Sequence, residues 1–398
     1  MTSELKQQWP DLAGRDLGGS VVFANDELFA ARENLIRPGD PVFQPHTFGP
    51  KGQIMDGWET RRRREPGHDH AIVRLGSAGV VRRVVVDTSW FTGNYPPEVS
   101  VEASGAEGYP GPAELAAAQW VTLVPRSPVQ GDTRNEFTVT VEQRCTHVRL
   151  TIYPDGGVAR LRVFGEPVPD PRLLPGVIDL AALENGALVT DSSNSFYTSA
   201  GQLIMPGLAR VMGDGWETSR RRDQGHDWVA LQLACAGGVE VAELDTSCFV
   251  GNAPGWASLT GDGGDLLSRT ALQPDTRHRF AIAGGPVAEQ VRLDIYPDGG
   301  MARLRVWGAP TPAAWESLAS RFLSLLPRPQ LAAVLERAGL PAAEAERRAG
   351  FDEEPATPGA AADGATASVP AIPKASTGGW ALADLPPSAR AAFHLAPR

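Results

Sequence analysis

A chain of 398 residues, 42% hydrophobic and 21% charged, is long enough for two or three domains that each bury a core. Its net charge of −10 excludes a general attraction to nucleic acid or anionic membrane, so local basic runs have to be read as sites. Three cysteines, Cys145, Cys235 and Cys248, with no C-x-x-C pair, exclude a disulfide framework and fit a reducing cytosol.

The amino-terminal MTSELKQQWPDLAGRDLGGS is polar and lacks the basic-then-apolar layout of a signal peptide. No apolar run approaches the length of a membrane span. A soluble cytoplasmic protein with no nucleic-acid or membrane partner is expected.

Further along, the chain contains itself twice. DGWETRRRREPGHD (56–69) recurs as DGWETSRRRDQGHD (214–227), with 11 of 14 positions identical. DTSWFTGN (87–94) recurs as DTSCFVGN (245–252) at the same displacement of 158. RLTIYPDGGVARLRVFG (149–165) recurs as RLDIYPDGGMARLRVWG (292–308), displaced by 143, with 14 of 17 positions identical. The second copy has therefore lost 15 residues, matching the loop-like GAEGYPGPAELAAAQW of the first. A period near 150 residues suits a whole domain rather than a solenoid unit. The domains are expected at 20–168 and 176–310, joined by the proline-rich GEPVPDPRLLPG.

Within each unit the elements read as strands. HAIVRLG (70–76) and WVALQLA (228–234) alternate apolar and polar residues, and VVRRVVVDTS and VEVAELDTS follow after a glycine-containing turn. HVRLTIY and QVRLDIY run into Pro-Asp-Gly-Gly and continue as ARLRVFG or ARLRVWG, which predicts a hairpin. One helical loop is expected at 113–120. After residue 311, apolar residues at helical spacing behind prolines predict a helical extension over 311–351. Residues 352–398, rich in Ala, Pro, Gly and Thr at first, are expected to be largely disordered. The fold class is all-β, a tandem pair of antiparallel jelly-roll sandwiches with a short C-terminal extension.

Chemistry concentrates in the first repeated block. Asp56, Gly57 and Trp58 read as a turn with a core plug. Arginine offers planar, bidentate recognition of carboxylates and ureido carbonyls. Arg62, Arg63 and Arg64, with Arg220, Arg221 and Arg222, are therefore candidates for a small anionic ligand. The other reading is a solvated charged face. His68 and His226 place a group that titrates near neutral pH beside Asp69 and Asp227, either for acid–base work or as satisfied structural histidines. Asn94 and Asn252 either bind a ligand amide or cap a turn. His70 next to His68 resembles a metal cluster, but the second copy has Trp228 there, so no metal site is demanded and no cofactor is expected.

These blocks, each present twice and in the same order, resemble the allantoicase family over roughly residues 20–310. The resemblance implies two jelly-roll repeats of galactose-binding-like type, a homo-oligomer, and hydrolysis of allantoate to ureidoglycolate and urea. On that implication the arginines, with Asp69, Asp227, Asn94 and Asn252, hold the carboxylate and ureido groups. His68 or His226 protonates the departing urea, and Glu59 or Glu217 assists water. A noncatalytic small-ligand or carbohydrate-binding double jelly roll is the alternative, since fold does not dictate function. A degenerate pair and a metal-dependent amidohydrolase are further variants.

Overall fold

The computed structural model describes residues 9–350 together with Leu385 and Arg390. The expected disordered tail lies outside the described residues, apart from those two. In the first repeat the main strands are β1 (Ser20–Ala24), β2 (Asp69–Asp87), β3 (Glu98–Ser104), β4 (Val121–Pro128), β5 (Arg134–Thr138), β6 (Arg144–Tyr153) and β7 (Arg160–Pro167). The second repeat has β8 (Leu188–Ser192), β9 (Asp227–Asp245), β10 (Trp256–Gly261), β11 (Gly264–Ala271), β12 (Arg277–Ala281), β13 (Val287–Tyr296) and β14 (Arg303–Pro310).

Each repeat is a two-layer sandwich. One layer runs β1-β2-β6-β3-β4 and the other β5-β2-β7, all antiparallel. The second repeat repeats the plan as β8-β9-β13-β10-β11 and β12-β9-β14, with the two-residue strand Ile178–Asp179 at the edge of β14. The alternating residues meet between the layers: Ala71, Val73, Val84, Val86, Val101, Leu150 and Val163 are all buried.

Two local expectations fail for the same reason. The predicted turn before Val80 is absent: β2 and β9 are single 19-residue strands that serve both layers. At the crossing the register with β6 shifts between Arg74 and Gly79. A Cβ on Gly79 would lie 2.1 Å from the Glu166 carbonyl oxygen, so only glycine admits the close approach. The Tyr-Pro-Asp-Gly-Gly segments, likewise, are not hairpins. β6 pairs with β2 and β3, β7 pairs with β2, and the segment between them arches from one layer to the other. Local turn chemistry cannot reveal which sheet the following strand joins.

The 15-residue difference falls at the predicted loop. The first copy carries a short helix, α1 (Pro112–Ala116), between β3 and β4, whereas in the second Asp262-Gly263 closes a tight hairpin between β10 and β11. Beyond β14, α2 (Pro312–Leu325) starts with proline under a Thr311 side-chain cap at 3.2 Å, followed by α3 (Arg328–Arg337) and α4 (Ala342–Arg348). They share a separate small core built on Phe322, Leu323 and Leu335. Among the described residues no helix is long and apolar enough to cross a membrane.

Candidate active site

The three sequence blocks meet at one end of each sandwich. Trp58–Glu59 pairs with Gly157–Val158 as a two-residue ladder, and Gly157 N–H donates to the Asn94 carbonyl at 2.7 Å. Phe91, fully buried, lies so close beneath the arch that a Cβ on Gly157 would sit 2.0 Å from its ring. Trp58, also fully buried, donates its indole N–H to the Asp26 carbonyl at 2.7 Å. Repeat two has the same lock in Trp216, Phe249 and Gly300. The blocks recur together because they pack on one another.

This packing aims two polar side chains at each other. The Asn94 amide donates to Glu59 Oε1 at 2.7 Å, and Asn252 to Glu217 Oε1 at the same distance. Burial pushes the Glu59 carboxyl above its usual range, and the Asn94 hydrogen bond pulls part of that back.

The arginine runs divide by role. Arg63 reaches inward to the buried Asp69 at 2.6 Å, and its backbone N–H donates to Asp155 Oδ2 at 2.8 Å. Arg221 does the same with Asp227 at 2.7 Å and with Asp298 at 2.7 Å. Asn25 adds a second donor to Asp69 at 2.9 Å, and the Ser193 hydroxyl a second to Asp227 at 2.9 Å. The central arginine and the aspartate thus tie the loop to the arch. Arg62, Arg64, Arg220 and Arg222 point into solvent, and no side-chain hydrogen bond or ion pair engages them among the described residues. These four exposed guanidinium groups are available to an anionic ligand.

The histidines sit against tyrosines of the arch. His68 and Tyr153 have ring centroids 5.5 Å apart, and His226 and Tyr296 are 4.5 Å apart. Each phenol contacts a serine hydroxyl, Ser100 at 3.0 Å or Ser258 at 3.2 Å, and each ring carries a guanidinium, Arg126 at 4.3 Å or Arg269 at 4.1 Å. Sequence reasoning missed this serine and arginine layer. The signal was present, since Ser100 and Ser258 are displaced by 158 and Arg126 and Arg269 by 143, the same offsets as the motifs. Asp69 and Asp227 stand beside their histidines in sequence but belong to the arginines, whose side chains reach them across the loop. In repeat two the carboxylate at the imidazole is instead Asp294, 2.8 Å from His226 Nε2.

Other repeated residues are scaffold. Asp87 accepts from the Ser89 N–H at 2.8 Å and its hydroxyl at 2.6 Å, and Thr88 donates to the Gln130 carbonyl at 2.6 Å. Arg160, buried, pairs with Asp56 at 2.7 Å. Among the described residues no three His, Cys, Asp or Glu side chains are grouped closely enough to hold a metal ion. A cavity of about 780 Å³ lies between the repeats along Trp9, Phe164 and the hydroxyl-rich 190–199 segment, and none of the predicted site residues lines it.

The fold and these loop ends define a tandem, duplicated jelly-roll protein in which the same Glu–Asn and Arg–Asp pairs recur in both copies. A family model for the allantoicase repeat matches residues 10–168 and 178–311. A protein of Nocardia farcinica described as "Probable allantoicase" is 60% identical over 308 residues, covering 75% of this chain and 94% of the relative. Another from Streptomyces avermitilis, with the same description, is 50% identical over 338 residues, covering 80% and 90%. The crystal structure of allantoicase from Saccharomyces cerevisiae superposes with a TM-score of 0.69 at 36% identity, covering 76% of this chain and 94% of the other. The chain belongs to the allantoicase family.

Proposed function

We propose that this chain hydrolyses allantoate to ureidoglycolate and urea at the loop-end clusters of its repeats. An allantoicase-type hydrolase activity in allantoin degradation goes with the family. The substrate carbon carries one carboxylate and two ureido groups. Water forms a C–O bond to it while one C–N bond breaks, and the departing nitrogen takes up a proton. Arg62 and Arg64, with Arg220 and Arg222, hold the carboxylate. Asn94 and Asn252 hold a ureido group and steer Glu59 and Glu217, which accept the proton of the attacking water. His68 or His226 gives a proton to the leaving urea. Arg63 and Arg221, with Asp69 and Asp227, shape the loop that presents the other arginines.

The observation that carries this reading is the Glu–Asn pair, held at 2.7 Å in both copies. Burial above the usual carboxylate range makes Glu59 a stronger base than an exposed glutamate. The enzyme in this reading is cytoplasmic and oligomeric, consistent with three free cysteines, and sedimentation of the purified chain tests the assembly. The decisive assay is urea release from allantoate by the purified protein. The Glu59→Gln/Glu217→Gln double variant is expected to lose at least about 100-fold in kcat/KM. Retention within about threefold, roughly 0.65 kcal/mol, refutes the role of the glutamates. Absence of urea release by the wild-type chain leaves the noncatalytic binding module as the reading.

A further inference from the structure

The duplicated clusters differ most in what surrounds the histidine. In repeat two, Asp294 Oδ1 is 2.8 Å from His226 Nε2 and also accepts from Arg292 Nε at 3.0 Å. Asp294 is buried on β13, at 7% exposure. The matching residue of repeat one is Thr151, which carries no charge. There, among the described residues, the His68 imidazole meets only rings, Tyr153 at 5.5 Å and His70 at 6.3 Å.

Repeat one has not lost its carboxylate; it has moved it. Glu102, on β3, takes Arg149 at 2.7 Å, and Trp120, from the loop that repeat two lacks, stacks over Arg149 at 4.6 Å. In repeat two Thr260 stands at the Glu102 position, and Trp228, at the His70 position, stacks on Arg292 at 4.3 Å. Each copy keeps an acid, an arginine and a tryptophan here. Only the arrangement in repeat two brings the acid to the imidazole.

We propose that the two repeats are chemically unequal: Asp294 is a positioning residue that holds His226 as the proton-transfer group, while the His68 cluster of repeat one binds substrate without transferring a proton. This rests on the reading of the histidines as proton donors. A carboxylate accepting from Nε2–H selects one tautomer and leaves Nδ1 as the atom that exchanges a proton with the ligand. The charged and titratable groups around His226 are Asp294 and Arg292 on β13, Tyr296 with Arg269 over it from β11, and the Arg221–Asp227 pair of its own loop.

The test uses the full chain, with kcat and KM for allantoate and ¹⁵N spectra of the histidine rings. His226→Ala is expected to lower kcat by about 100-fold with KM nearly unchanged, whereas His68→Ala raises KM with kcat within about threefold. Asp294→Asn, close in shape, lowers kcat about tenfold and releases the single Nε2–H tautomer of His226, and Asp294→Glu recovers part of the rate. Equal losses of kcat in the two histidine variants overturn the inequality. Loss in His226→Ala with unchanged kcat and tautomer in both Asp294→Asn and Asp294→Thr overturns the role of Asp294 alone. Retention of kcat/KM in both histidine variants sinks the proton-donor reading beneath it.

Discussion

Arg63→Ala separates the arginines that build the site from those left free for a ligand. Asp69 is 1% exposed, and it meets Arg63 at 2.6 Å and Asn25 at 2.9 Å, while its Oδ2 has no partner among the described residues. Removing one member of a fully buried ion pair costs about 3–5 kcal/mol, because the remaining charge stays desolvated. The Arg63 side chain is 27% exposed and the Asn25 amide stays, so water and that donor offset part of the cost. A loss of about 2–3 kcal/mol follows, which lowers Tm by roughly 5–10 °C in a unit of this size. Arg221→Ala should do the same to repeat two, where Asp227 is fully buried. Adding Asp69→Asn to Arg63→Ala removes the stranded charge and should return part of the loss. Arg62→Ala and Arg64→Ala should change stability by less than about 0.5 kcal/mol and raise KM instead. Urea denaturation and allantoate kinetics on the same preparations measure both effects. If Arg63→Ala unfolds like the wild type, or if Arg62→Ala destabilises as much, the division of the arginines is wrong.

Asn94→Ala combined with Asn252→Ala strips the amide from both glutamates and is expected to cost about tenfold in kcat/KM, roughly 1.4 kcal/mol. An unchanged kcat/KM for urea release would mean that the pairing is incidental. Gly157→Ala places a Cβ 2.0 Å from the buried Phe91 ring, and Gly300→Ala one 1.9 Å from Phe249, so each should cost about 3 kcal/mol or more. Wild-type melting of either variant contradicts the packing of the arch. Asp179, accepting from the Ala181 and Val306 N–H groups, is pushed by burial up to about 6 from 3.8. Its ionised form is disfavoured in the fold, so the stability tied to this group is present below about pH 4 and lost as pH rises through 6. Asp179→Asn keeps an acceptor and removes the titration. The variant should gain on the wild type by up to about 3 kcal/mol between pH 4 and 7. A stability difference that does not vary with pH rejects this.

The duplication, the all-β class and the helical extension were legible in the sequence, because each rests on a local period. Alternation in HAIVRLG marks a strand, the spacing in AAWESLASRFLSLL marks a helix, and identity at a fixed displacement marks a repeat. The polar side chains proposed for the site, from Glu59 through His68 to Asn94, could be named from the sequence because they recur in both copies. Their pairings could not. Asn94 meets Glu59 across 35 residues, and Arg63, not His68, takes the aspartate beside that histidine. The partner of His226 comes from β13, 68 residues away.

Chain order determined which residues are available; the tertiary structure decided which of them face each other. A hydrogen bond depends on where two strands lie in the sandwich, and strand neighbours are set by packing across the whole repeat. The arch at Tyr153–Gly157 shows this most simply. Its residues have the composition of a tight hairpin, and only the burial of β6 and β7 in different layers turns them into a bridge. One substitution within the repeat, Thr151 against Asp294, is plain in the sequence as a mismatch. It becomes a chemical difference only because the fold sets that position beside the imidazole.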